Sequence, residues 1–181
     1  MPMTTQTISE RYLREFVYGA IDGTVTTFAI VSGVVGANLS PSIVLVLGLA
    51  NVLADGFSMA SSNFLAERSE IALHHGVEAL PAGTKAPLKT ASVTFFSFIT
   101  VGFIPLFPFA LAFFVPAVLP YEFGLSIALT AVAFVGIGAV RGIVTKHRAT
   151  QSALETLLVG GLAALISFAV GYFLRGLAGG V

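Results

Sequence analysis

Cysteine is absent from the sequence, which excludes disulfides, thiolate metal sites, iron–sulfur clusters and cysteine nucleophiles together. Charge is scarce. Nine basic and nine acidic residues among 181 cancel, so nothing in the charge favours nucleic acid or an acidic polymer as a partner. Internal repeats and low-complexity tracts are lacking as well. The amino-terminal stretch puts Glu10, Arg11, Arg14 and Glu15 ahead of any long apolar run and shows no small-residue cleavage site, so residue 1 is expected to be retained. What remains is apolar: 56% hydrophobic residues and a mean hydropathy of +0.94 exclude an ordinary soluble domain.

Five runs, at 16–37, 42–62, 90–119, 123–140 and 156–174, are long enough to cross a hydrocarbon core of about 30 Å, which takes about 20 helical residues. Their continuous apolar character favours helices, because membrane strands would be about 10 residues long and alternate with period two. The expected fold is therefore an all-α polytopic membrane protein, a single domain over 1–181. Pro105, Pro108 and Pro116 fall within the over-long third run, where a kinked or broken helix is expected. Arg11, Arg14, Arg68, Lys85, Lys89, Arg141, Lys146 and Arg148 all lie on one side of these spans, and only Arg175 on the other. Short basic loops stay cytoplasmic, so the N-terminus and the loop 66–89 should be cytoplasmic and the C-terminus should face the opposite side. An odd number of spans forbids two equal inverted halves, so a two-fold pathway would require a homodimer.

An ionisable group at membrane depth is costly and marks a candidate pathway. The spans contain two, Asp22 and Asp55. At about 1.5 Å per residue they sit roughly 9 and 10 Å below the same cytoplasmic surface, on helices that run in opposite directions. Asn51, Asp55 and Met59 follow at i, i+4 and i+8 and form one stripe, with Ser58 and Ser62 beside it. Carboxylates supply charge while a thioether favours softer ions, so the set suits a transition metal in transit. Two carboxylates at one level disfavour each other's charge, so one should hold a proton until a divalent cation displaces it. Interhelical hydrogen bonding by the acids and packing by Met59 would use the same residues.

A second polar cluster follows the second span, where Glu67, Glu70, His74 and Glu78 recur at i, i+3, i+7 and i+11. On a helix continued into the cytosol these four share a face, and carboxylate with neutral imidazole is a competent ligand pair for ions approaching the pathway. The same spacing is also that of an ordinary solvated helix face. A membrane-embedded enzyme is not expected, because His74, His75 and His147 all fall outside the spans and no nucleophile has a base in reach. A structural or regulatory membrane subunit would explain the apolar spans but leave Asp22 and Asp55 without a purpose. Gly19 and Gly23, four apart, offer a close-packing face for two first helices across a dimer axis, and Gly33, Gly36, Gly136 and Gly160 offer similar contacts inside one chain.

The segments YGAIDGTVTTFAIVSGVVGA at 18–37 and SIVLVLGLANVLADGFSMASSNFLAERSE at 42–70 resemble the vacuolar iron transporter family. TFFSFITVGFIPLFPF at 94–109 and ETLLVGGLAALISFAVGYFL at 155–174 are similar to that family's third and fifth spans. The Asp-Gly pair at 22–23 and the Ser-Met pair at 58–59 are the most specific signals. The resemblance implies a homodimer that moves ferrous iron, and often manganese, out of the cytosol in exchange for protons, with no cofactor, in a prokaryotic plasma membrane or an organellar membrane. It carries pathway roles onto Asp22 and Met59. Two departures stand out: Asn51 occupies a position where that family usually has an acid, with Asp55 one turn further on, and the 24 residues of 66–89 are too few for the glutamate-rich domain of larger members. Nor does the chain carry the ferritin-like domain fused to some short members, so any iron-storage partner would be separate.

Overall fold

The computed structural model describes residues 8–75 and 86–178. Its helices are α1 (Ile8–Gly36), α2 (Pro41–His75), α3 (Pro87–Gly102), α4 (Phe107–Phe114), α5 (Glu122–Val144) and α6 (Ala149–Ala178), and no strand occurs among the described residues. α3 and α4 together make one crossing, so that five segments are long and apolar enough to span a membrane: Tyr12–Gly36, Pro41–Leu73, Pro87–Phe114, Pro116–Val144 and Ala149–Leu177. Phe57, Phe96, Phe113 and Phe173 lie on the outside of the bundle, which water would penalise and acyl chains accommodate. This is a multi-pass integral membrane protein.

The turn from α1 to α2 is set by local chemistry. Asn38 adopts φ 58°, in the left-handed region, while Leu39 N–H bonds the Val34 carbonyl and Asn38 N–H the Val35 carbonyl, the pattern of a Schellman end with asparagine as its left-handed residue. Pro41 then opens α2, where its missing N–H has no partner to lose. The expected break in the third run falls at Pro105, within a 3-10 turn over Ile104–Leu106. The Ser126 hydroxyl of α5 donates to the Pro105 carbonyl at 2.7 Å, satisfying a backbone group that lipid would leave bare.

Packing depends on close backbone approach, as expected where lipid removes the hydrophobic drive between helices. α1 is central. A Cβ on Gly19 or Gly23 would collide with Thr94, Ser97 or Phe98 of α3, and one on Gly33 or Gly36 with Ser167 or Phe168 of α6. Gly48 and Gly56 of α2 lie against Leu106 and Phe98, and Gly160 of α6 lies against the Phe134 ring of α5. Phe98, Leu106, Phe109 and Phe134 fill the interior.

Several expectations are corrected. Gly19 and Gly23 seat α3 within the chain and are not available to a dimer axis, while Gly136 faces open space and makes no close contact. α2 runs on through His75, beyond the expected end at residue 62, because no breaker precedes Gly76. The third crossing stops at Phe114, ahead of a 3-10 turn over Pro116–Tyr121, and α6 starts at Ala149 where 156 was expected.

Candidate functional site

Asp22 stands on α1 and Asp55 on α2. Both side chains are half-buried, and they lie close enough for the charge of one to act on the other. Asp22 lines a groove of about 500 Å³ between α1 and α5, whose wall includes Tyr18, Ile21, Arg141 and Thr145. Asp55 belongs to the stripe with Asn51 and Met59, all three half-buried. That stripe flanks the face formed by Gly48, Val52, Gly56 and Ala60, which is buried in the bundle. It borders the exposed face that carries Leu53 and Phe57.

Interhelical polar contacts are made elsewhere. Asn63 Nδ2 donates to Thr94 Oγ1 at 2.6 Å, Ser167 Oγ donates to the Ala29 carbonyl at 2.5 Å, and Arg141 pairs with Glu155 across α5 and α6. Among the described residues the carboxylates of Asp22 and Asp55 make no hydrogen bond or ion pair. The Asn51 Nδ2 atom is buried and likewise has no partner. The polar groups at membrane depth are therefore not accounted for by interhelical bonding. Carboxylate oxygens, an amide oxygen and a thioether sulfur are the donors that a borderline divalent ion accepts. Among the described residues no group of three His, Asp or Glu has the geometry to hold a metal ion by itself.

The second polar cluster divides. Glu67 and Glu70 line a polar cleft of about 310 Å³ with Arg14, Tyr18, Asn63 and Thr90. The His74 backbone closes α2, whereas its side chain and all of Glu78 lie outside the described residues. Glu15, which precedes the first long apolar run, lines the same cleft and is 5% exposed. It precedes Asp22 by seven residues, two helical turns on one face of α1, and that spacing was the available signal. These residues and Arg141 mark one end of the bundle; the α1–α2 turn and the start of α5 mark the other.

The chain matches the VIT family over residues 13–77 and 70–172. Among curated proteins, the vacuolar iron transporter of Toxoplasma gondii is 48% identical over 62 residues, covering 34% of this chain and 20% of that protein. That of Plasmodium berghei is 38% identical over 64 residues, 35% of this chain and 23% of that protein. Vacuolar iron transporter 1 of Eucalyptus grandis is 25% identical over 212 aligned positions, covering 86% of this chain and 84% of that protein. The matched regions thus span about a fifth to a quarter of the Toxoplasma and Plasmodium proteins. The 212 positions exceed the 181 residues of this chain, so the plant protein holds additional sequence inside the matched region. The two family matches meet at 70–77, at the end of α2, which is where the larger members' extra domain was expected.

Proposed function

This chain belongs to the VIT family, and from that premise we propose that it carries a divalent transition metal, ferrous iron or manganese, out of the cytosol in exchange for protons. One observation carries this reading: two carboxylates on adjacent membrane-spanning helices lie within electrostatic reach of each other, with no hydrogen bond or ion pair among the described residues. Structural acids in a bundle are bonded to a neighbouring helix, and groups left free at that depth fit a pathway. Asp22 and Asp55 supply the charge, and Asn51 and Met59 complete the ligand set. The proposed cytoplasmic side is the end with Arg14, Glu67 and Arg141, following the distribution of bases.

A homodimer fits the same geometry. The stripe borders an exposed face, one chain converges fewer than three acidic or imidazole ligands among the described residues, and a second copy would double the set across a two-fold axis. Purified protein in sealed liposomes containing a metal-sensitive dye tests the function. Ferrous iron and manganese should cross faster than calcium or magnesium, since the thioether favours softer ions. No flux of any ion above that of protein-free liposomes would leave a non-transporting membrane subunit as the better account. The orientation is checked separately by a reporter fused after Val181, which should read as non-cytoplasmic.

The cytoplasmic cleft is proposed as an intake that concentrates cations without gating them. Replacing Glu67, Glu70, His74 and Glu78 together by alanine should raise the half-saturating metal concentration severalfold and leave maximal flux largely intact, because surface charge acts mainly on local ion concentration. Complete loss of flux in that variant would place the cluster inside the pathway itself.

A further inference from the structure

The far end of the bundle holds another acid that the pathway does not use. Glu122 opens α5 and is only 9% exposed. Its Oε2 atom is buried and has no hydrogen-bond partner among the described residues. The side chain lines a cleft of about 210 Å³ together with Asn38, Leu39, Val44, Phe109 and Leu119. An acid in the first turn of a helix is favoured by the helix dipole, which accounts for glutamate at this position. It does not account for a buried carboxylate oxygen left unbonded against apolar walls, an arrangement that is costly unless a partner occupies the cleft. No base of the described residues supplies one; Arg175, the single basic residue expected at this end, lies over the Tyr172 ring at 4.2 Å.

The end of α1 and the turn after it line the same cleft through Val35, Asn38 and Leu39, and the carboxyl end of a helix carries negative partial charge. A carboxylate, an amide oxygen and a negative helix end together attract a cation. The space is several times the roughly 30 Å³ that one water occupies, so a partly hydrated ion fits. Gly36, the last residue of α1, lies 14 residues beyond Asp22, roughly 21 Å along the axis at about 1.5 Å per residue, and Asn38 follows in the turn. We propose that this cleft is a second divalent-cation site, with Glu122 as its charged ligand and the Asn38 amide beside it, where an ion that has left Asp22 and Asp55 pauses before release. The release role rests on the transport reading; the binding site does not.

The absence of cysteine permits a site-specific test in lipid nanodiscs with manganese as the probe. One nitroxide is attached at Gly124→Cys, where an added Cβ meets nothing within 4 Å, and another, in a separate sample, at the exposed Ser62→Cys. Manganese should broaden the spectrum of each label saturably. Glu122→Gln should raise the half-saturating concentration at the Gly124→Cys label at least about tenfold, since loss of even an outer-shell partner typically costs 10–100-fold in metal affinity. It should leave the Ser62→Cys label unchanged, which also reports that the variant is folded, and Asp22→Asn should do the reverse. A Gly124→Cys label that manganese does not broaden, or whose broadening ignores Glu122→Gln, overturns the site. Retained broadening in a protein that shows no metal flux would remove the release role and leave the site standing.

Discussion

Asp22→Asn is expected to cut metal flux into liposomes at least about tenfold at equal protein incorporation, and Asp55→Asn to do the same. Each change removes a negative charge and keeps the side-chain shape, so neither opens a cavity. The scale follows from metal sites in general, where loss of a supporting group alone costs 10–100-fold. Leu165→Ala, on the exposed side of α6, provides a control that should transport normally. Both asparagine variants running at the parent rate would remove the pair from the pathway, however close the two side chains stand.

How far the sequence discloses this arrangement depends on the physics involved. Hydropathy over a span is a sum of many residues, so the five crossings emerge although individual bounds move, by as much as 13 residues at the end of α2. The level match of Asp22 and Asp55 follows from helical rise alone, and in the structure the charge of Asp55 acts on Asp22. Helix partnership is different. Gly19 and Gly23 advertise a close contact, but nothing local says whether the other surface is a second copy or α3, and the structure gives α3. Glu15 and Glu122 were overlooked for a related reason. Each sits at the edge of an apolar run, where acids are ordinarily solvated, and each becomes buried only when a neighbouring segment folds over it. In the third run the prolines announce a break without fixing its place, which the hydroxyl of Ser126 on α5 helps to settle at Pro105.

The second large effect is on the fold. Gly171→Ala should destabilise the protein by about 1–3 kcal/mol, the usual cost of forcing an extra carbon into a packed site, because the new Cβ would overlap the Gly33 carbonyl oxygen of α1. Neither partner there is a flexible side chain, so relief requires α1 and α6 to separate. Gly161→Ala and Gly176→Ala lie on the same helix and their added Cβ atoms meet nothing within 4 Å. Alanine at those positions should be neutral or slightly stabilising, by up to about 1 kcal/mol from helix propensity. Unfolding midpoints of the three variants in one detergent make the comparison, and a Gly171→Ala midpoint equal to the other two would mean that α1 and α6 do not meet as described.

In the proposed cycle a metal ion passes Asp22 and Asp55 by displacing a proton from them. Two adjacent acids in a partly dry site disfavour carrying two charges, and a divalent cation reverses that preference, so that metal arrival and proton departure are one event. Alternation of access between the two sides would then make each transfer an exchange. Liposomes holding the protein and an internal pH dye read this directly. An imposed inward gradient of manganese should drive protons outward, an imposed proton gradient should drive manganese the opposite way, and Asp22→Asn should abolish both. Manganese flux with no counter-movement of protons and no response to the pH gradient would contradict the account and leave a passive channel in its place.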